Sequence, residues 1–95
     1  MGTVKKGVTD IAGFRVTEHT VKLPDGYRIE CLTVRVDGWD MIHMEAECYL
    51  DNDLLATVTR DVPAQGSVGR LQLIRARWLD GLADQLQKGV KLCDG

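Results

Sequence analysis

The segment from Phe14 to Leu50 constrains the fold most, because it contains two turn sequences that set the pairing of three strands. The first turn is Pro24-Asp25-Gly26. Pro presets a φ near −65°, and Gly tolerates the positive φ that ends a three-residue hairpin loop. This loop predicts Leu23 opposite Tyr27, so that the strands before and after it pair as an antiparallel hairpin.

The second turn, Asp37-Gly38, has the sequence of a two-residue type I′ turn. A two-residue turn predicts Val36 opposite Trp39, and it makes the strand after Tyr27 the middle strand of a meander. The same register predicts the further pairs Val34–Met41, Leu32–His43 and Glu30–Glu45.

Side chains alternate across a sheet, so these turns sort the strand residues onto two faces, and each face is apolar over half its length. The first face carries an apolar end and then a charged end: Phe14, Val16, Leu32, Val34, Val36, Trp39 and Met41, followed by Lys22, Arg28, Glu30, Glu45 and Glu47. The second face has the reverse order: Val21, Leu23, Tyr27, Ile29, Ile42, Met44, Ala46, Cys48 and Leu50, followed by Arg15, Arg35 and Asp40. The alternative is a bulge in each strand that restores a single buried face.

The rest of the chain predicts one more strand and one helix. Asp51-Asn52-Asp53 is a third turn, expected to pair Leu50 with Leu54. An amphipathic helix is expected between an N-cap at Ser67 and a C-cap at Gly89, with its apolar stripe on the second face. The predicted fold is α+β: a four-stranded antiparallel meander, at about residues 14–23, 27–36, 39–50 and 54–62, with one C-terminal helix at about 68–88 packed on one face.

The 95 residues fit a single domain, in which residues 1–12 are a flexible arm or a short edge strand and residues 90–95 a tail. A formal net charge of −2 and 5% aromatic residues argue against nucleic-acid binding. The sequence has no apolar run long enough to span a membrane. An odd cysteine count, Cys31, Cys48 and Cys93, favours thiols in the reducing cytoplasm.

One helix cannot cover both faces of the sheet, so the apolar end of the first face lacks a covering element. We call its central residues the apolar patch: Phe14, Val16, Val34, Trp39 and Met41. Large apolar patches are uncommon on monomers, and a homodimer needs only one self-complementary patch, so burial against a second copy is expected. The alternatives are that residues 1–13 fold back over the patch, or that bulges turn it inward.

Two polar groups are candidate ligand sites. The predicted register places Glu18, His43 and Asp61 near one level and Glu30 opposite Glu45, an arrangement suited to proton transfer or to a divalent cation. An ordinary solvated sheet face explains the same residues. Separately, Arg70 and Arg75 lie in the N-terminal half of the helix, where the macrodipole disfavours cations, so each is expected to have a partner. A sheet carboxylate such as Asp61 is favoured over a phosphate ligand.

The function that the sequence favours is therefore a small non-enzymatic interaction module of the accessory or inhibitor type. It is expected to self-associate, and to bind a partner protein, through the apolar patch. The alternative is a small-molecule or divalent-metal-binding protein, or an enzyme, that uses the carboxylate and histidine cluster. The sequence contains no motif for a cofactor, a structural metal site, a nucleophilic triad or a phosphate-binding loop.

Overall fold

The computed structural model describes the backbone of residues 2–11 and 13–89, with side chains from residue 13 onward apart from Val68. The predicted tail at 90–95, with Cys93, lies outside the described residues. The elements in chain order are β1 (Gly2–Ile11), β2 (Phe14–Lys22), a 3₁₀ turn (Pro24–Gly26), β3 (Tyr27–Val36), β4 (Met41–Leu50), β5 (Asp53–Pro63) and α1 (Val68–Lys88).

The strands form one antiparallel sheet in the order β1-β2-β3-β4-β5, and the helix follows the sheet. The predicted α+β class, with an antiparallel meander and one C-terminal helix, is confirmed. The N-terminal segment, which the sequence left open between an arm and an edge strand, is β1, and β1 pairs with β2 along its length. Its register shifts between Lys5 and Gly7. The sheet therefore has one more strand than the four of the predicted meander.

The pairing of β2 with β3 is the one predicted from the first turn. Phe14 lies opposite Val36 at one end and Lys22 opposite Arg28 at the other. Asp25 and Gly26 both adopt a positive φ, at 64° and 85°, and the Leu23 amide donates to the Tyr27 carbonyl at 2.9 Å. Because Asp and Gly tolerate this conformation, the loop closes without strain and fixes the register.

The predicted pairing of β3 with β4 is wrong by two residues. Val34 lies opposite His43, not Met41, and the same shift applies along the ladder, so that Glu30 faces Glu47 and Leu32 faces Glu45. The connection is a four-residue loop over 37–40 in which Gly38 has a φ of 84°. The Trp39 amide donates to the Val36 carbonyl at 3.1 Å, so Trp39 continues the turn and does not begin the strand.

A shift of two residues leaves every side chain of β4 on its predicted face, because the side-chain period of a strand is two. The division of the sheet into two half-apolar faces therefore survives the register error. At the far end of the loop, the Ala64 amide donates to the Asp40 carbonyl at 2.8 Å, which ties the loop to the chain after β5.

The pairing of β4 with β5 follows the prediction from Cys48–Ala56 to Met41–Pro63, but it changes at the turn. Leu50 lies opposite Asp53 and not Leu54, and the register shifts next to Cys48. Asp51 adopts a φ of 54°, which permits a tighter turn than the predicted three-residue loop. One residue is then left over in β5, and the bulge absorbs it.

Helix α1 has the predicted bounds. The Ser67 Oγ accepts from the Arg70 amide at 3.1 Å, and Gly89 ends the helix at a φ of 70°. The helix packs on the second face, where the buried residues form one core: Val21, Ile29, Cys31, Ile42, Met44, Ala46, Cys48, Val58, Val62, Trp78, Leu79, Leu82, Ala83 and Leu86. Within the described residues, no helix is both long and apolar enough to cross a membrane.

Candidate functional site

The apolar patch lies on the first face, on the side of the sheet away from α1. The exposed fractions of its three largest side chains are 39% for Phe14, 56% for Trp39 and 42% for Met41. Val16 and Val34 are half-buried between them and lie opposite each other on β2 and β3. β1 pairs beside β2 and therefore extends the sheet. It leaves the side chains of Phe14, Trp39 and Met41 open to solvent.

Trp39 and Met41 form one side of a hollow in this patch. The hollow has a volume of about 370 Å³ and is lined by Val34, Trp39, Met41, His43 and Asp61. Val34 and His43 are cross-strand partners, and His43 and Asp61 are partners in turn, so one row of the sheet forms its floor and its polar edge. Trp39 lies at the border of the hollow because it belongs to the loop between β3 and β4 and does not pair in the sheet.

The polar edge of the hollow is a pair of side chains that bond to each other. His43 Nδ1 lies 2.7 Å from Asp61 Oδ1, and both side chains are partly exposed. A carboxylate bonded to one ring nitrogen fixes the orientation of the imidazole. The pair therefore gives the hollow one fixed polar wall against an otherwise apolar lining.

Beyond this row, the first face becomes acidic. Glu18, Glu30, Glu45 and Glu47 border a second hollow of about 250 Å³, with Leu32 between them. The Arg28 Nε donates to Glu30 Oε2 at 2.9 Å, and the Arg28 guanidinium lies 4.2 Å from the centre of the Tyr49 ring. Partial burial raises the pKa of Tyr49, and the Glu47 and Glu30 carboxylates raise it further. Arg28 thus pairs with Glu30 and stacks on Tyr49 at this end of the face.

The structure separates the residues predicted as one ligand cluster. His43 and Asp61 are level with each other, as predicted, but Glu18 lies one row further along, opposite Leu32. Glu30 faces Glu47 and not Glu45, because of the two-residue shift. Among the described residues, no group of three or more His, Cys, Asp or Glu side chains is arranged to hold a metal ion.

Arg70 and Arg75 belong to a different surface from the acidic cluster. Both are on α1, which lies on the second face, whereas Asp61 bonds to His43 on the first face. The expectation that Asp61 is their partner is therefore wrong. No single small ligand reaches both the glutamates and these arginines, since the sheet stands between them.

Sequence reasoning did not include His43 and Asp61 in the patch, although both line its hollow. The predicted register placed His43 opposite Leu32, one row too far into the acidic end. The position of His43 depends on the length of the loop after Val36, and the sequence Asp37-Gly38 alone does not determine that length.

The comparisons with known proteins give no relative from which to transfer a function: no family model, no curated protein and no solved structure matches this chain.

Proposed function

We propose that this protein is a small non-enzymatic interaction module that forms a homodimer through the apolar patch. The observation that carries the proposal is the exposure of Trp39 and Met41 on a sheet face that the only helix among residues 13–89 does not cover. Trp and Met are enriched in the cores of protein interfaces, and monomers rarely leave such a contiguous patch in water.

The size of the apolar end suits a weak dimer. Five strands of about ten residues make a face of roughly 24 by 33 Å, or about 800 Å², using the usual strand spacing and rise. A standard interface takes about 800 Å² from each partner. The apolar end is roughly half of this face, so a dimer held by it is expected to dissociate at micromolar concentrations.

The charge pattern favours one arrangement of the two copies. A two-fold axis through the apolar patch places apolar end on apolar end. Glu18 and Glu45 of each copy then lie at the border of the overlap, and Glu30 and Glu47 lie beyond it. Full overlap of the two faces instead places the glutamates of one copy over the apolar patch of the other, where burying a carboxylate is costly. The offset arrangement is therefore the one we propose.

The buried thiols favour a cytoplasmic location for this module. Cys31 and Cys48 are both buried and unbonded to each other, as suits a reducing compartment. As a module of the accessory or inhibitor type, the protein would bind a partner protein through the same patch, in competition with the second copy.

The test is the mass of the protein in solution as a function of concentration. Sedimentation velocity of the wild type is expected to show a monomer–dimer equilibrium between about 1 and 100 μM. Trp39→Asp is expected to sediment as a monomer throughout, with an unchanged far-UV circular dichroism spectrum. The matched control is Leu73→Asp, which places the same charge on another exposed apolar residue, 50% exposed on α1, and is expected to dimerise like the wild type.

Two results contradict the proposal: a wild type that remains monomeric at millimolar concentration, or a Trp39→Asp variant that dimerises as the wild type does. The ligand-binding alternative predicts a different outcome. In that case His43→Ala removes binding of a small ligand or divalent cation and leaves the oligomeric state unchanged.

A further inference from the structure

We propose that a groove between α1 and the arginine end of the second face binds a small phosphate-type anion. The groove has a volume of about 170 Å³ and is lined by Arg15, Thr17, His19, Thr33, Arg35, Leu71, Gln72 and Arg75. Three guanidinium groups border it, and its described lining contains no Asp or Glu. This site lies across the sheet from the apolar patch and does not depend on dimerisation.

The strands contribute a pair of like charges. Arg15 and Arg35 are direct cross-strand partners on β2 and β3. Like charges directly opposite each other destabilise a sheet. A negatively charged group close to both side chains offsets this cost. Arg15 takes part in an interaction of its own. The argument therefore rests on the other two arginines of the groove.

The helix contributes a half-buried arginine. Burial lowers the pKa of Arg75, and the one electrostatic neighbour that raises it is Cys31, a thiol that stays neutral at physiological pH. The structure pairs the Arg75 side chain with no carboxylate among the described residues. A guanidinium remains charged in proteins, so it loses hydration in the groove without gaining a counter-charge.

The rest of the lining suits an oxyanion. Gln72 and Thr17 supply neutral hydrogen-bond donors beside the guanidinium groups. Arg35 and Leu71 also line the adjacent hollow of about 260 Å³, which extends to Arg70 and to the capped start of α1 at Ser67. Guanidinium groups bind phosphate oxygens in a bidentate way, and the helix N-terminus adds positive potential, so the anion is expected to be phosphate or a phosphate ester.

Three arginines line this groove, although the whole chain has a formal net charge of −2. Non-specific attraction of anions is therefore expected to be weak. Saturable binding of a small anion would have to arise from a local arrangement of arginines, which makes the proposal testable with simple salts.

The experiment is a titration of inorganic phosphate and pyrophosphate into the wild type at low ionic strength, followed by NMR of the arginine Nε–Hε groups and by calorimetry. We expect saturable shifts at Arg35 and Arg75 with a Kd below about 1 mM. Arg75→Gln and Arg35→Gln are each expected to weaken binding roughly tenfold. Arg75→Lys keeps the charge but not the bidentate geometry and should fall between these variants and the wild type.

The matched control is Arg77→Gln, which removes the same charge from the same helix at an exposed position outside the groove. It is expected to change the Kd by less than about twofold, as a change in distant screened charge would. The proposal is overturned if neither anion gives a saturable response. It is also overturned if Arg77→Gln weakens binding as much as Arg75→Gln, which would mean diffuse attraction. Trp39→Asp, which should remove the dimer, is expected to bind the anion like the wild type, so the two proposals fail separately.

Discussion

Gly26 and Gly38 both adopt a positive φ in the loops that join the central strands, yet their surroundings differ. A Cβ added at Gly26 would lie 2.5 Å from Asp51 Oδ1, whereas a Cβ added at Gly38 would meet no atom within 4 Å. The Gly26 carbonyl also accepts from the Asp51 amide at 2.9 Å, which holds the two turns at this end of the sheet together.

We predict that Gly38→Ala lowers the free energy of unfolding by about 1 kcal/mol, the usual cost of a left-handed Ala. Gly26→Ala should lower it by roughly 1 kcal/mol more, because Asp51 must move. Urea unfolding measures both. In an Asp51→Gly background the two alanine substitutions should cost the same; a persistent difference would show that the contact with Asp51 is not its cause.

The buried thiols give a second prediction at this scale. Burial raises the pKa of Cys31 and of Cys48 from about 9.0 to about 11, and for Cys31 the nearby Arg75 and Thr33 oppose the rise. Between these pH values the unfolded chain has lost both protons while the folded chain keeps them. The unfolded state then binds fewer protons, so stability is fully present below pH 9 and falls as the pH rises toward 11.

Urea unfolding at several pH values should therefore show a steeper loss of stability in the wild type than in a Cys31→Ala/Cys48→Ala variant. The tyrosines, the lysines and Cys93 titrate in both proteins, so the difference in slope belongs to the two buried thiols. Parallel curves for the two proteins would mean that the folded thiols ionise as readily as the unfolded ones.

At the scale of elements, local chemistry predicted the structure where one turn or cap decides the outcome. Pro24-Asp25-Gly26 determined the register of β2 with β3, and Ser67 and Gly89 determined both ends of α1. The register of β3 with β4 failed because the turn hydrogen bond from Trp39 adds two residues to the loop, and nothing in Asp37-Gly38 excludes this. The predicted assignment of side chains to the two faces, including the patch, was still correct because the register error is an even number of residues.

β1 was harder to predict because its pattern is interrupted. The two lysines at 5 and 6 adjoin Gly7, and the register shifts there, so the alternation of a strand breaks in its middle. The groove on the second face was missed for another reason. It requires knowing where a helix of 21 residues crosses the sheet, and neither strand pattern nor helix period fixes that position.

The N-cap of α1 offers a test at this scale. Ser67→Ala should lower the free energy of unfolding by about 1 kcal/mol, because the Arg70 amide loses the Ser67 Oγ and keeps only the Ser67 carbonyl as its acceptor. Ser67→Asp should be at least as stable as the wild type, since the first turn of α1 carries no acidic residue and a carboxylate suits the positive end of the helix dipole. Thermal unfolding measures both, and equal melting temperatures for Ser67→Ala and the wild type would show that the cap does not stabilise the helix.

At the scale of the whole molecule, the sheet separates surfaces of different chemistry. The second face holds the core and the arginine groove, while the first face grades from the apolar patch to the four glutamates. Any ligand of the groove and any partner of the patch are thus on opposite sides of one layer. A phosphate bound in the groove is expected to leave the dimer dissociation constant unchanged. Coupling would require the phosphate to bind the monomer and the dimer with different affinities, and the groove is the same in both.

The gradient along the first face also decides how two copies meet. If only the apolar ends overlap, Glu45→Gln/Glu47→Gln should change the dimer dissociation constant by less than about twofold, whereas Met41→Asp should weaken the dimer more than tenfold. If the faces overlap along their whole length, the glutamine variant removes carboxylates buried against the other copy's Trp39, and the dimer becomes much tighter. Sedimentation equilibrium of the three proteins separates these arrangements. A large gain in affinity for the glutamine variant would exclude the offset dimer, because there Glu45 lies at the border of the overlap and Glu47 beyond it, and both carboxylates stay in water.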